Sequence, residues 1–331
     1  MRITFWGKGG SGKSTLTSCF VRYIAQKIDP QTILAIDADA GANLKAALGM
    51  EGAVVPIGDS FIDIANTLES GNQFYSDLGF TPIPEMGTIP PSRFSRLLMM
   101  LPDEELFKKY GLKKGGITLL TVGGHEEKDS GDACYHVKLN ALELIMHRLY
   151  DTEHDWVVTD LSAGVDTMGT SLVMAYDLNL FVLEPTEKSV AVFKKFKEFM
   201  DTVPNKPAYR IVLNKIRSDQ DIEFIKQNVD NDLILATIRY SKDLRRFEQS
   251  DTEGMDRFIE ANTGEFDKII AFLRENIGKR WGEYHRALVS YYQSRSRGWW
   301  DAYTHKPLSD TYDREFVYGS HKNPTKKINR Q

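Results

Sequence analysis

Short apolar runs alternate with segments of helical spacing over most of the chain. Ile3–Trp6, Thr32–Ile36, Ile117–Val122, Trp156–Leu161, Leu178–Leu183, Tyr209–Leu213 and Leu233–Ile238 are nearly continuous in apolar character. That is the pattern of strands buried on both faces. Leu16, Phe20 and Ile24 share one side of a predicted helix that stops at Asp29-Pro30, where proline removes a donor and fixes φ. Lys138–Leu149 and Glu187–Met200 carry the same spacing. Strand and helix in alternation imply right-handed crossovers. The expectation is an α/β fold, a mostly parallel sheet of seven or eight strands with helices on both faces. Ligands of such sheets lie at the carboxyl ends of the strands.

Residues 50–115 interrupt the alternation with dense Pro and Gly, among them Pro56, Gly58, Pro82, Pro84, Gly87, Pro90 and Pro91. The stretch reads as an insertion over one face of the sheet, with one helix predicted around Arg93–Met100. Beyond Gly278 a helix is predicted to about Ser296, followed by an irregular, polar and aromatic end.

Composition narrows the class. The chain has 331 residues, 41% hydrophobic and 27% charged, which is globular and not disordered or fibrous. No run of 18 residues is free of charge, so no integral membrane segment is expected. Met1-Arg2 leads straight into the first apolar run, which leaves no room for a secretory leader. Two cysteines, Cys19 and Cys134, form no disulfide framework; a reducing cytoplasm is the expected location. The net charge of −4 conceals a division: residues 280–331 carry ten Lys/Arg against five Asp/Glu, a net of +5, and the rest carries −9. The same tail holds ten of the 36 aromatic residues. Three readings stay open for it: packing on its own acidic body, gripping a protein partner, or stacking on nucleic acid or a membrane surface.

The strongest chemical signal is Gly7-Lys8-Gly9-Gly10-Ser11-Gly12-Lys13-Ser14-Thr15, between the first strand and the first long helix. Glycines let successive N–H groups turn inward around phosphate oxygens, and the helix beginning near Lys13 adds its positive end. Gly9 to Thr15 are therefore candidate nucleotide-binding residues. Lys13 supplies a point charge to the β/γ-phosphates, and Ser14 offers a hydroxyl to Mg²⁺. Two carboxylate elements accompany the loop. Asp37 and Asp39 end the second strand, and Asp160 ends the apolar run Trp156–Leu161, the usual way to place a ligand for a Mg²⁺-bound water. Gly164 follows, able to bring a backbone N–H to a γ-phosphate and to move when it leaves. Strand-end aspartates also cap turns, and Asn214 also reads as a turn residue.

Lys8, a second lysine early in the loop, resembles the signature lysine of the deviant Walker A ATPases. That class holds the MinD/ParA, nitrogenase iron-protein and arsenite or tail-anchored-protein-targeting ATPases. The resemblance implies an ATP-sandwich homodimer in which Lys8 reaches nucleotide in the partner subunit. It also implies catalytic roles for Lys8, Lys13 and Asp39, with Asp39 orienting the attacking water. Asp37 supports the Mg²⁺ shell, Asp160 to Gly164 is the second switch, and Asn214 hydrogen-bonds adenine. On this basis residues 1–278 are one P-loop ATPase domain, and residues 279–331 are a basic aromatic extension.

Ile36–Leu48, Cys134-Tyr135-His136 with Asn140-Ala141-Leu142, Asp160–Gly169 and Glu184-Pro185-Thr186 resemble the CooC-type ATPases that mature carbon monoxide dehydrogenase. Members of that family bind a metal at the dimer interface through Cys-x-Cys; here the second position is His136. Cys134 and His136 from two subunits would offer an S₂N₂ set suited to Zn²⁺ and tolerable for Ni²⁺, or else a capping cysteine beside a surface histidine. His125 and the acids from Glu126 to Asp132 either extend that set or form a solvated loop. Asp160–Gly169 holds no cysteine, which argues against an electron-donating iron protein. The implied function is maturation or ATP-driven assembly of a client protein; the alternative is a ParA/MinD-like positioning module. An acidic body argues against a nucleic-acid partner.

Overall fold

The computed structural model describes residues 1–28, 30, 32–79, 81, 88–101, 103–124, 135–162, 165–248, 253–276, 281–295 and 312–319. The first half contains β1 (Arg2–Trp6), α1 (Lys13–Lys27), β2 (Thr32–Ala38), α2 (Leu44–Ala47), α3 (Phe61–Glu69) and α4 (Gln73–Leu78). There follow β3 (Leu98–Met99), α5 (Glu105–Tyr110), β4 (Leu112–Lys114), β5 (Ile117–Thr121), α6 (Tyr135–Arg148) and β6 (Leu149–Tyr150). The second half contains β7 (Asp155–Leu161), α7 (Val165–Met168), β8 (Leu178–Leu183), α8 (Glu187–Asp201), β9 (Ala208–Ile216) and α9 (Asp219–Lys226). Last come β10 (Ile234–Arg239), α10 (Lys242–Glu248), α11 (Gly254–Ala261), α12 (Thr263–Asn276) and α13 (Trp281–Arg295).

Each of the seven apolar runs is a strand. With β4 they form an eight-stranded sheet in the order β10-β9-β8-β1-β7-β2-β5-β4. All neighbours are parallel except β4, which turns back antiparallel on β5 through Gly115-Gly116. A separate pair joins β3 to β6. Alternate residues of each strand feed two cores. Ile3, Phe5, Trp156 and Leu180 pack under α1, α11 and α12, whereas Trp6, Ile36, Val157 and Phe181 pack under α3, α6 and α8. Phe181 meets Phe193 and Phe196 of α8 with centroids 5.2 Å apart, and each such buried ring contributes roughly 2–3 kcal/mol. Among the described residues no helix is long and apolar enough to cross a membrane.

The helix expected at Arg93–Met100 does not form. Ser92 N–H donates to Ser95 Oγ and Ser95 N–H to the Ser92 carbonyl, closing a tight turn that Asn72 holds from outside. These side-chain bonds compete with a helix, and Pro90-Pro91 precede them. Leu98-Met99 then runs as a strand beside Leu149-Tyr150. The helices of this region are α3, α4 and α5; Phe61, Ile64, Leu68 and Leu106 share the core beneath α6.

The described part of the tail packs on the body. Leu288, Tyr291 and Tyr292 of α13 join the core of α6 and α8, and Trp281 lies 5.1 Å above the buried guanidinium of Arg2. Phe316 and Tyr318 close over Leu97 with Tyr150, Trp281 and Tyr284 around them. Ion pairing between tail and body among the described residues runs opposite to the charge division: Asp313 of the tail takes Arg93 of the body through two guanidinium nitrogens, at 2.8 and 2.7 Å, and Glu315 takes the third.

Candidate functional site

The loop Gly7–Thr15 sits at the carboxyl end of β1, between β7 and β8, and is moulded to its neighbours. Gly12 has φ +93°, and a Cβ there would collide with Asn214 Nδ2. A Cβ on Gly7 would stand 2.7 Å from the Val182 carbonyl. Only glycine fits either place. Asn214, at the end of β9, donates to the Ser11 carbonyl at 2.8 Å. Lys215 beside it donates to the Gly10 carbonyl and pairs with Glu184 at 2.7 Å. Two β9 side chains therefore hold the loop's outer carbonyls, while α1 begins with no side-chain cap and no acid in its first turn. Its first N–H groups and its positive end stay available to an anion.

Three carboxylates face this loop. Asp37 of β2 and Asp160 of β7 are direct partners in the parallel register, so the strands deliver two like charges side by side. Their fates differ. Asp37 accepts from Leu44 N–H at 2.8 Å and from Asp39 N–H at 3.4 Å, anchoring the loop after β2. Asp39 accepts from Gly41 N–H at 2.9 Å, and its other oxygen lies 3.1 Å from Lys13 Nζ. Both oxygens of Asp160 are buried with no hydrogen-bond partner. Burial pushes its carboxyl up to about 7, against the pull of the Lys13 charge and the nearby Ser14 hydroxyl. Burial likewise holds Asp37 at about 6, opposed by the Leu44 and Asp39 N–H groups. A buried, unsatisfied carboxylate next to a hydroxyl and a lysine is a poor structural element and a good cation-water ligand.

The other expected residues are placed as follows. Lys8 is half-buried, and its Nζ donates to the carbonyl of adjacent Gly9 at 3.0 Å, away from the carboxylates. Gly164 and Cys134 lie outside the described residues, as does the side chain of His136. Among the described residues no group of three or more His, Cys, Asp or Glu is arranged to hold a metal ion. Cys19 is buried in α1, its thiol pushed up to about 12 by desolvation.

Two features escaped the sequence reading. Tyr135, the first residue of α6, is buried near Asp37, Asp39 and Asp160, whose charges raise its phenol further. Its presence in the Cys134-Tyr135-His136 string was the available signal. A cavity of about 380 Å³ opens beside Gly12, Thr15 and Asn214, walled by Tyr240, Leu244 and Arg245 from the segment after β10. A loop at the carboxyl end of a strand beside the phosphate loop is where such a wall belongs.

These carboxylates predict a pH dependence. Asp160 at about 7, Asp37 at about 6 and Glu143 at about 7 all lie above their unfolded values, so the folded, ligand-free protein binds more protons. Stability should therefore fall as pH rises toward about 7 and level off above, the fall partly offset below about 6.5 by His147 and His285, which burial holds below their ordinary value. Asp160→Asn should flatten part of that slope and raise the pH 8 melting temperature, an effect on the order of a few kcal/mol. Thermal melts from pH 5 to 8.5 check it; a parental slope in the variant contradicts it.

Comparison with known proteins agrees with the site. An uncharacterised ATP-binding protein of Methanocaldococcus jannaschii is 27% identical over 252 residues, 75% of this chain and 88% of that protein. The carbon monoxide dehydrogenase accessory protein CooC of Rhodospirillum rubrum is 24% identical over 286 residues, 85% of this chain and 99% of that protein. The Aquifex aeolicus MinC:MinD cell division complex matches with a TM-score of 0.52 and 21% identity, over 84% of this chain and 98% of that one, a likeness of fold. Residues 3–253, from the first strand to beyond β10, match the family described as the CobQ/CobB/MinD/ParA nucleotide binding domain. The phosphate loop, its facing carboxylates and that match give one answer: the chain belongs to the CobQ/CobB/MinD/ParA family of nucleotide binding domains.

Proposed function

We propose that this chain is an ATP-hydrolysing switch that closes as a homodimer around two Mg²⁺·ATP and uses the closure to mature or assemble a client protein. The observation that carries the reading is Asp160, a buried carboxylate beside Lys13 and Ser14 of the phosphate loop, with no close hydrogen-bond partner for either oxygen beyond the nearby Ser14 hydroxyl. That donor set suits Mg²⁺, held by the Ser14 hydroxyl and, through water, by Asp160 with Asp37 behind it. Bound there, the ion would neutralise negative charge on the polyphosphate.

The chain's own residues divide the remaining work. The loop N–H groups from Gly9 to Thr15 cradle phosphate, and Gly164 is the candidate for a further N–H toward the γ-phosphate. The nucleoside enters the cavity beside Asn214, where the exposed ring of Tyr240 offers a stacking face. Lys13 exchanges Asp39 for phosphate oxygens. Asp39, freed, holds and orients the attacking water. Lys8, which in one chain reaches only Gly9, crosses to the partner's nucleotide and stabilises charge there.

Similarity to CooC along 85% of the chain supports a client whose metal centre this switch helps to complete. Cys134 and His136, paired across two subunits, are then the candidates for holding Zn²⁺ or Ni²⁺. The test is direct. Purified chain with Mg²⁺ should hydrolyse ATP, and a non-hydrolysable analogue should double its mass by light scattering. Failure of both overturns the switch. Metal analysis of the trapped dimer, with Cys134 and His136 intact and replaced, decides the role: a metal-free dimer in both forms leaves a positioning or assembly module.

A further inference from the structure

We propose that α13 grips the far end of the segment following Asp160 and thereby couples docking of the C-terminal extension to nucleotide turnover. The inference rests on the reading of Asp160 as part of the nucleotide site. Downstream of Asp160 the chain is pinned at close intervals. Thr167 Oγ1 donates to the Ser162 carbonyl at 2.6 Å, and Thr170 N–H donates to the Thr167 carbonyl at 3.3 Å. Thr170 then caps the single helical turn Ser171–Ala175. At that point the tail takes hold. Tyr291 Oη donates to the Thr170 carbonyl at 2.7 Å, and Tyr292 Oη lies 3.0 Å from Ser171 Oγ.

The grip is part of a network that is buried except at Tyr284, which is half-buried. Ser171 donates through both N–H and Oγ to Glu143 of α6, and His147 Nε2 lies 2.6 Å from the same hydroxyl. His147 Nδ1 meets Tyr284 Oη at 2.7 Å, and Tyr318 donates to the His147 carbonyl at 2.6 Å. Ser171, His147 and Glu143 have the residue types of a hydrolytic centre. Yet none is more than 5% exposed, so no substrate reaches them. They act as a fastening. Burial also keeps His147 unprotonated beside Arg148 and Arg2, so it bonds as a neutral ring.

The same helix α6 that carries Glu143 and His147 begins at Tyr135, beside Asp37, Asp39 and Asp160. Two connections therefore lead from the tail toward the carboxylates, one through the bonds of Ser171, Thr170 and Thr167 to Ser162 and one along α6. The bonds of Thr170 and Ser171 to Tyr291, Tyr292 and Glu143 are buried, so they have few partial arrangements: each broken bond strands a polar group away from water. A change at Ser162 or Thr167 is then transmitted as a change in how firmly Thr170 and Ser171 are held, and hence in the docking of α13. Coupling of this kind is reciprocal: nucleotide changes the tail, and the tail changes turnover.

Tyr291→Phe with Tyr292→Phe removes the two hydroxyls and keeps both rings. In the full chain, kcat should fall at least about fivefold while KM for ATP stays at the parental value. A merely structural defect would lower the melting temperature and the active fraction without changing exchange in the parent. The second measurement therefore uses the unaltered protein: amide hydrogen exchange over 281–295 should slow at least about fivefold with a non-hydrolysable ATP analogue relative to no nucleotide. A parent that hydrolyses ATP, with parental kcat in the double variant and nucleotide-independent exchange in α13, overturns this inference alone. A parent that binds no nucleotide overturns it together with the reading beneath it.

Discussion

Replacing Lys13 by alanine is expected to weaken Mg²⁺·ADP and Mg²⁺·ATP binding at least about hundredfold, close to 3 kcal/mol. Lys13 is only 5% exposed, and its ammonium is the cation drawn into the carboxylate cluster. A charge held that far from water loses little to screening, so its removal is felt in full by a polyphosphate. Bringing phosphate beside Asp37, Asp39 and Asp160 with no lysine would add negative charge to three carboxylates already in mutual repulsion. The ligand-free variant should stay folded, because Lys13 now lowers both Asp37 and Asp160. Without it both rise further and take up protons instead of repelling. Calorimetric titration with Mg²⁺·ADP, alongside a melt of the ligand-free protein, separates the two effects. Affinity within tenfold of the parent would contradict the assignment.

The asymmetry between what the chain announced and what it concealed has a physical cause. Strands buried on both faces must be apolar throughout, so Val157-Val158 and Leu180–Leu183 declare themselves without reference to anything distant. The phosphate loop is legible as a nine-residue string whose positive-φ positions, Gly10 and Gly12, already ask for glycine, although the clashes that exclude any side chain at Gly7 and Gly12 come from distant Val182 and Asn214. Arg93–Met100 misled because its conformation is decided from afar, by Asn72 and by Asp313 two hundred residues on. β4 was invisible because three residues, two of them exposed lysines, pair by backbone and carry no apolar signature. Within the site, Asp37 and Asp39 were legible as a pair, yet not their division of labour. Period-two spacing places both on one side, but the strand ends at Ala38 and the chain turns, sending Asp39 to Lys13. The tail's aromatic density was plain, but rings that pack on a partner and rings that pack at home have the same composition. Only the pairing of Tyr291, Tyr292 and Tyr284 with Thr170, Ser171 and His147 decides it for the described residues.

Lys8→Ala should leave nucleotide affinity near the parental value and reduce kcat by about a thousandfold, the lower range for a cation supplied by a neighbouring subunit. The reason lies in reach. Within one chain Lys8 Nζ folds back on the Gly9 carbonyl, and Lys13 is the cation beside the carboxylates that face the phosphates. A lysine turned back onto its own loop's carbonyl acts on turnover, in this reading, through a second molecule. Steady-state rates should accordingly rise more steeply than linearly with protein concentration in the parent. The sharper measurement is complementation. Lys8→Ala and Asp39→Ala are each inactive alone, but a mixed dimer contains one complete site, built from Asp39 of the first chain and Lys8 of the second. Random assortment into two-fold dimers should restore roughly a quarter of the parental rate. Recovery in the mixture has no explanation in cis, whereas a Lys8→Ala chain that turns over at the parental rate would remove the reason for the dimer to close around its nucleotides.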